Sequence, residues 1–244
     1  MRAVILAAGV GKRLGGIEGE IPKVLISIGG STLLERHIKI LESSGIEDIV
    51  IGTGFQSHLI EKELFRLKRK NIKTVHNTDF TQGSIVTLYK LRNEILCGTD
   101  IIIMDGDVLY DKRMISKLIR SENKNTFLLD RNIEPGEEPM KIAVYKDHIV
   151  DFRKKITGQF DFFGESVGLF KFCPITSKLI VEQTIKIITK GDKNDYMEEA
   201  IRNVLIENTD DFSYVDITGL PWIEIDFPND IENAKKYILP KLVK

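Results

Sequence analysis

The sequence predicts an α/β fold: one domain on a largely parallel sheet, mixed in its later half. Three observations carry this. Short apolar runs (AVILAA at 3–8, DIVIG at 48–52, DIIIM at 100–104) have the length of buried strands. The segments between them place apolar residues at helical spacing. Strands that are apolar throughout, rather than alternating, belong to parallel sheets covered on both faces.

The elements follow in order. Ala3–Ala8 is the first strand. Leu33, Leu34, Ile38 and Leu41 mark a helix that ends at Gly45. Asp48–Gly52 is the second strand, and Leu59, Ile60, Leu64 and Leu67 mark a helix running into basic residues up to Lys70. Lys73–His76 is the third strand; Thr87, Leu88, Leu91 and Ile95 suit a helix closing near Gly98. Asp100–Met104 is the fourth strand and runs into Asp105-Gly106-Asp107. After about residue 125 come short β-like pieces at Thr126–Asp130, Lys141–Tyr145, Ile149–Arg153 and Ser166–Phe172. Helices are expected over Ile175–Thr189 and Tyr196–Glu207, strands at Tyr214–Ile217 and Trp222–Asp226, and a last helix after Pro228. No repeat, low-complexity linker or composition break interrupts residues 1–244, so a single domain is expected.

Composition narrows the function classes. With 42% apolar residues, 29% charged residues and net charge -1, the chain has no global basic field for nucleic acid or anionic lipid. Cys97 and Cys173 are too few for a disulfide framework or zinc cluster and read as buried free thiols. The first apolar run is too short for a signal peptide, and no stretch reaches the roughly 20 apolar residues of a membrane span. A reducing, cytoplasmic setting is expected.

The stretch AAGVGKRLGG follows the first strand, where glycine turns often hold phosphate. It fails the dinucleotide pattern G-x-G-x-x-G at Leu14. It fails the P-loop at Arg13, which stands where the magnesium-binding hydroxyl belongs. What remains is a loop of small residues, Ala7 to Gly11, whose N–H groups can approach phosphate, followed by the cations Lys12 and Arg13. Alone, this is equally a glycine turn with solvated basic residues. Ile21-Pro22-Lys23-Val24-Leu25 and Gly29-Gly30-Ser31-Thr32-Leu33-Leu34 follow. Together, AAGVGKRLGG…IPKVLISIGGSTLLE resembles the signature of the nucleotidyltransferase superfamily that includes sugar-phosphate nucleotidylyltransferases and small cytidylyltransferases. The resemblance implies a Rossmann-like three-layer α/β/α fold with a mostly parallel mixed central sheet, of the nucleotide-diphospho-sugar transferase type. It implies a nucleotide-binding half at 1–125 and an acceptor-binding half at 126–244. Leu6, Ala7, Ala8, Gly9 and Gly11 would wrap a nucleoside triphosphate, with Arg13 and Lys23 on its phosphates and Lys12 helping.

Two acidic groups stand out. Asp105-Gly106-Asp107 closes the fourth strand and suits a hard cation such as Mg²⁺, which prefers one or two carboxylates plus phosphate oxygens; it is equally a tight Asp-Gly turn. In Trp222-Ile223-Glu224-Ile225-Asp226, alternation puts Trp222, Glu224 and Asp226 on one face. Two carboxylates there are costly to bury without a cation, although an edge strand with a solvated face would also carry them. The resemblance implies that one Asp after the fourth strand and a late acidic residue hold Mg²⁺: Asp107 and Asp226, then Glu224, with Asp105 nearer the nucleotide. The chemistry implied is attack by an acceptor phosphate or phosphonate oxygen, already anionic, on an α-phosphorus, with pyrophosphate leaving. No general base is needed, and catalysis is positioning and charge neutralisation. No G-x-S-x-G occurs, and His37, His58, His76 and His148 show no metal or triad spacing.

In the family the base is read in the segment HNTDFTQGSIVTLY at 76–89, here by Gly83 and Ser84, with Thr87 behind them. The proline-rich, glycine-threonine pattern usual in sugar-1-phosphate enzymes is missing. The later series Leu129-Asp130-Arg131, Glu138–Ile142, Asp151–Lys154, Gly164–Phe172, Asp195–Ala200 and Gly219–Asp226 resembles cytidylyltransferases acting on phosphocholine, 2-aminoethylphosphonate or inositol-1-phosphate. The implied function is an Mg²⁺-dependent cytidylyltransferase that transfers CMP from CTP to such an acceptor. Alternatives are a sugar-1-phosphate nucleotidylyltransferase using another triphosphate and a non-catalytic nucleotide-binding regulatory subunit; the latter would be expected to lose carboxylates or cations that this chain keeps. Lys154 is the candidate for the acceptor's phosphate, or else a solvated strand residue, with Lys141 as a second candidate. An amine acceptor would want Glu165, Glu198, Tyr196 and Trp222, whereas a polyol would want neutral hydrogen-bonding groups. A homodimer is allowed for. The inositol-phosphate enzymes often continue into a membrane-embedded transferase; with the sequence ending at Lys244, any lipid step is expected on another protein.

Overall fold

Strand β1 (Arg2–Ala7) lies between two parallel neighbours, β4 (Asp48–Thr53) and β6 (Ile101–Asp105), in a computed structural model that describes residues 1–15, 20–133 and 139–243. Gly16 of the opening loop and Glu138 lie outside the described residues. On the far side of β4, β5 (Lys73–His76) continues the parallel set. On the far side of β6 the direction reverses. The eleven-residue β11 (Phe162–Phe172) runs antiparallel to β6, and β9 (Lys141–Tyr145) and β10 (His148–Arg153) extend the sheet beyond it. β8 (Asn125–Asp130) pairs with β11 and with a parallel β12 (Phe212–Asp216), which makes a nine-stranded sheet.

The two sheet faces bury alternate residues of each strand. Val4 and Leu6 of β1, with Ile101 and Ile103 of β6, face α3 (Ser84–Lys90), α4 (Arg92–Ile95), α6 (Pro174–Lys190) and α7 (Met197–Glu207). Ala3 and Ile5, with Ile102 and Met104, face α1 (Leu33–Ser43), α2 (Ser57–Arg66) and α5 (Lys112–Arg120). This is the expected three-layer α/β/α arrangement. A third, smaller core joins Leu14 of the opening loop, Ile28 of the hairpin β2 (Ser27–Ile28)–β3 (Ser31–Thr32), Leu109 of β7 (Val108–Tyr110), Ile225, and Ile231 of α8 (Pro228–Asn233).

The structure departs from the sequence reading in several places. The hairpin β2–β3, strand β7 and helix α5 were not expected; Asp111 caps α5 by accepting from the Arg113 N–H at 2.9 Å. The strand expected at Trp222–Asp226 is shorter: β13 (Trp222–Glu224) pairs only with β7, outside the main sheet. Cys97 and Cys173 are free but half-buried rather than buried. β11 begins earlier than its apolar run because it changes partners midway, from β9 to β6.

Phe127 sits at the centre of the aromatic packing, with ring centroids 5.1 Å from both Phe152 and Phe170 and 6.0 Å from Phe172 and Phe212. It ties four strands together. Truncation to alanine leaves a cavity that rigid strands cannot fill, so Phe127→Ala is expected to lower unfolding free energy by about 3–5 kcal/mol. Urea denaturation should show the midpoint falling with little change in slope.

Candidate active site

The site grows from the carboxyl ends of β1 and β6, where ligands bind in parallel sheets. Leu6 lies opposite Asp105, and the Gly106 N–H donates to Leu6 O at 3.0 Å. A Cβ on Gly106 would stand 2.9 Å from that oxygen, so the turn between the two aspartates needs glycine. Beneath it, buried His37 of α1 places Nε2 3.0 Å from Gly106 O.

Three separate segments converge on Asp107. Pro22 leads into a single 3₁₀ turn, Lys23–Leu25, which brings Lys23 Nζ to hydrogen-bond Asp107 at 2.8 Å and also Asp226. Gly11, at φ +65°, closes the opening loop over the Lys23 stem; a Cβ there would lie 3.1 Å from Lys23 Cγ. The Ile225 N–H donates to Asp107 O at 2.9 Å, which pins the chain after β13 beside the DGD turn. Asp230 Oδ2 accepts from the N–H groups of Asp226 and Phe227, at 2.9 and 2.7 Å. Arg13 donates to Asp226 Oδ2 at 3.0 Å, with its guanidinium 5.6 Å from the Phe227 ring centroid.

One carboxylate oxygen each from Asp107, Glu224 and Asp226 lie within 4.8 Å of one another. An all-oxygen set from two strand ends suits a hard divalent cation. The electrostatics agree. Burial, then the negative charges of Asp107 and Asp226, push the Glu224 carboxyl up to about 8 against the opposing Lys23. Burial first, then Glu198, Asp107 and Glu224, hold Asp105 well above the usual carboxylate range. Burial pushes Glu198 up to about 7, with Asp107 adding to it and Lys154 opposing. Burial alone would lower the Lys23 ammonium, but Asp107 and Asp226 outweigh it and hold the lysine charged. The three carboxyls Asp107, Glu224 and Asp226 face only the cations Lys23 and Arg13, so Glu224 keeps a proton that a divalent cation at the cluster would displace.

Two cavities meet at these carboxylates. The loop cavity, about 320 Å³, is bounded by Gly9 to Arg13, Lys23 and Phe80 to Gln82. The β11 cavity, about 300 Å³, is bounded by Asp105, Lys154, Gly168, Tyr196, Glu198 and Glu224, among others. Arg13, Asp107 and Asp226 line both.

The structure therefore brings together Arg13, Lys23, Asp107, Glu224 and Asp226, and places Gly9, Gly11 and Lys12 on the loop cavity. Leu6 and Ala7 border only a small recess of about 40 Å³ beside Gly9 and Lys23. Ala8 is buried, and its carbonyl accepts from the Phe55 N–H at 3.0 Å. Asp105, expected near the nucleotide, lines the β11 cavity instead; a Cβ on Gly168 would meet its Oδ2. Gly83 packs against the backbone of Asn194 and Asp195, where no Cβ fits, and Ser84 Oγ accepts from the Met197 N–H at 2.8 Å. Phe80, Thr81 and Gln82, just before them, are the residues that reach the loop cavity.

Lys154, Tyr196 and Glu198 do line the β11 cavity, with Lys154 Nζ 5.0 Å from the Tyr196 ring centroid. Three expected acceptor residues lie elsewhere. Lys141 is buried and donates to Lys154 O at 2.9 Å, supporting that segment from behind. Trp222 Nε1 donates to Asp130 Oδ2 at 2.7 Å, and the indole packs on the core. Glu165 pairs in β11 opposite Asp130 and Lys141 and lines neither cavity. Met140, Ser166, Val167 and Val108, which do border the β11 cavity, carry no chemical signal in the sequence beyond small or apolar side chains. The cavity also takes Arg13, Ser84 and Asp105 from the first 125 residues, so a division at residue 125 does not separate it from the loop cavity.

Residues 3–151 match the MobA-like NTP transferase domain family. The chain belongs to that family. Among curated relatives of this NTP transferase domain, it is 24% identical to a CTP:phosphoglutamine cytidylyltransferase of Campylobacter jejuni, covering 95% of this chain and 98% of that protein. It is 26% identical to a bifunctional IPC transferase and DIPP synthase of Aquifex aeolicus, covering 99% of this chain but only 53% of the relative, about half its length. Among solved structures, the NTP transferase fold superposes on the CTP:phosphocholine cytidylyltransferase of Streptococcus pneumoniae with TM-score 0.73 at 22% identity, covering 96% of this chain and 97% of that one. No helix among the described residues is long and apolar enough to cross a membrane.

His37 gives this site a pH signature. Burial pushes its imidazole down to about 4, outweighing the Gly106 carbonyl and Asp107. Its ordinary value is near 6.5, so between pH 6.5 and 4 the unfolded chain binds the proton that the folded chain refuses. The neutral imidazole's contribution is complete above pH 6.5 and falls away, by about 3 kcal/mol, as pH drops toward 4. Denaturant titrations should therefore show the stability difference between the native chain and His37→Gln shrinking as pH falls from 6.5 toward 4; the difference is the readout, because the raised Glu224, Glu198 and Asp105 carboxyls contribute an opposite slope to both proteins.

Proposed function

We propose that this chain is a divalent-cation-dependent cytidylyltransferase that moves CMP from CTP to a small phosphorylated or phosphono acceptor. The observation that carries the reading is the meeting of two cavities at Arg13, Asp107 and Asp226. One has a glycine loop with Lys12, Arg13 and Lys23, suited to a triphosphate; the other has Lys154, suited to an anionic acceptor. The cytidylyltransferase names of two relatives above support CTP as donor.

In this mechanism an acceptor oxygen attacks the α-phosphorus. The new P–O bond forms as the bond to the bridging oxygen breaks, and its electron pair leaves on pyrophosphate. The acceptor oxygen is anionic at neutral pH, so no base takes a proton. The opening loop's N–H groups hold the triphosphate, and Lys154 holds the acceptor's phosphorus-bound oxygens. Asp107, Glu224 and Asp226 would hold Mg²⁺, which supplies charge neutralisation at the α-phosphate and the leaving group. Lys23 and Arg13, which lie against the same carboxylates, would hold the triphosphate's oxygens beside that cation. Preorganised charge then stabilises the transition state.

Pyrophosphate release should require CTP, Mg²⁺ and an acceptor such as phosphocholine, phosphoethanolamine, 2-aminoethylphosphonate or inositol-1-phosphate, and should stop on chelation. Release with another triphosphate and not CTP would overturn the donor. Asp107→Asn should lower turnover by about 10²–10³-fold, the loss typical of one charge-stabilising group. Undiminished turnover would remove Asp107 from the mechanism.

A further inference from the structure

Glu198, in the first turn of α7, carries a buried carboxylate oxygen with nothing to bind. Its Oε2 is sealed from water and has no hydrogen-bond partner among the described residues. Such an atom forfeits its hydration without replacement, a cost native structures seldom carry except where a ligand completes the site. The residue lines the β11 cavity and also a neighbouring, largely apolar one of about 270 Å³; Met140, Lys154 and Tyr196 border both.

Resting on the reading above, we propose that the acceptor's end remote from phosphorus is a protonated primary amine, and that Glu198 binds it. The chemistry of the wall selects among acceptors. Glu198 borders both cavities and its Oε2 lacks a donor, which asks for an N–H group that brings positive charge. A quaternary ammonium has no N–H. Such groups take cages of several aromatic faces, but among the described residues Tyr196 is the one aromatic bordering the β11 cavity, with Phe152 added only in the neighbouring one, and the Tyr196 ring already lies beneath Lys154. The indole of Trp222 is turned toward Asp130. A polyol would supply donors but no charge opposite Glu198. Lys154 for the phosphorus-bound oxygens and Glu198 for the amine give the cavity one group for each charge of such an acceptor.

The test compares acceptors that differ only at the remote end: phosphoethanolamine, phosphocholine and 2-hydroxyethyl phosphate. With CTP and Mg²⁺, kcat/KM for phosphoethanolamine should exceed that of the other two by on the order of tenfold or more, the loss expected for one missing charged hydrogen bond. In Glu198→Gln that ratio should collapse toward unity. A ratio measured on one preparation is insensitive to the fraction folded, and Glu198→Asp, which keeps the charge, should retain part of the preference. Equal or better use of phosphocholine or 2-hydroxyethyl phosphate, or a ratio unchanged in Glu198→Gln, overturns the proposal. Thermal shift without nucleotide separates this from the cytidylyltransferase reading. Phosphoethanolamine should raise the melting temperature more than 2-hydroxyethyl phosphate, and the difference should vanish in Glu198→Gln. That result with no transfer from CTP would overturn the donor assignment alone; no difference in wild type would overturn the role of Glu198.

Discussion

Lys23 between Asp107 and Asp226 is the contact on which the site depends. It joins three segments remote in sequence: the turn after Pro22, the end of β6 and the chain after β13. Two carboxylates at one point would repel and lose hydration, and the ammonium offsets both costs. The same two carboxylates, with Glu224, form the cluster that could hold a divalent cation, so in the proposed reaction the lysine would share these carboxylates with it.

The scaffold holds that contact rigid. The third core packs Leu14, Leu109, Ile225 and Ile231 beneath the opening loop, β7, the chain after β13 and α8. Leu14 is the residue that breaks the dinucleotide motif, and the fold gives it a packing role that the dinucleotide pattern would assign to glycine. Gly106 and Gly11 let backbone and lysine stem approach closely, and the Asp230 carboxylate fixes the N–H groups of Asp226 and Phe227. The charged groups thus sit on elements that packing has already placed, as preorganised catalysis requires.

The parallel core was legible because its strands are unbroken apolar runs, and the loop cations and Asp107 because they follow strand ends. Glu224 and Asp226 were legible from period-two alternation, although the same alternation misplaced Trp222, whose indole is held by Asp130. Helix α5 is less legible: its buried face is only Met114, Ile115 and Leu118, set among Lys112, Arg113, Lys117 and Arg120. Gly83 shows what local sequence cannot supply. Its missing side chain makes room for the backbone of Asn194 and Asp195, more than 100 residues away, a demand separate from any contact with a base. Lys141 is similar: a lysine in a basic region whose ammonium the fold directs to a backbone carbonyl.

In the proposed reaction an acceptor held in one cavity is joined to the α-phosphorus of a nucleotide held in the other. Phosphorus-31 NMR of the reaction, with the acceptor's phosphorus-bound oxygens labelled with oxygen-18, reads this directly. The account predicts equal amounts of pyrophosphate and a CMP conjugate, with label retained in the new bridging oxygen, and only when a divalent cation is present. Formation of CDP or orthophosphate, or a bridge without label, would contradict it.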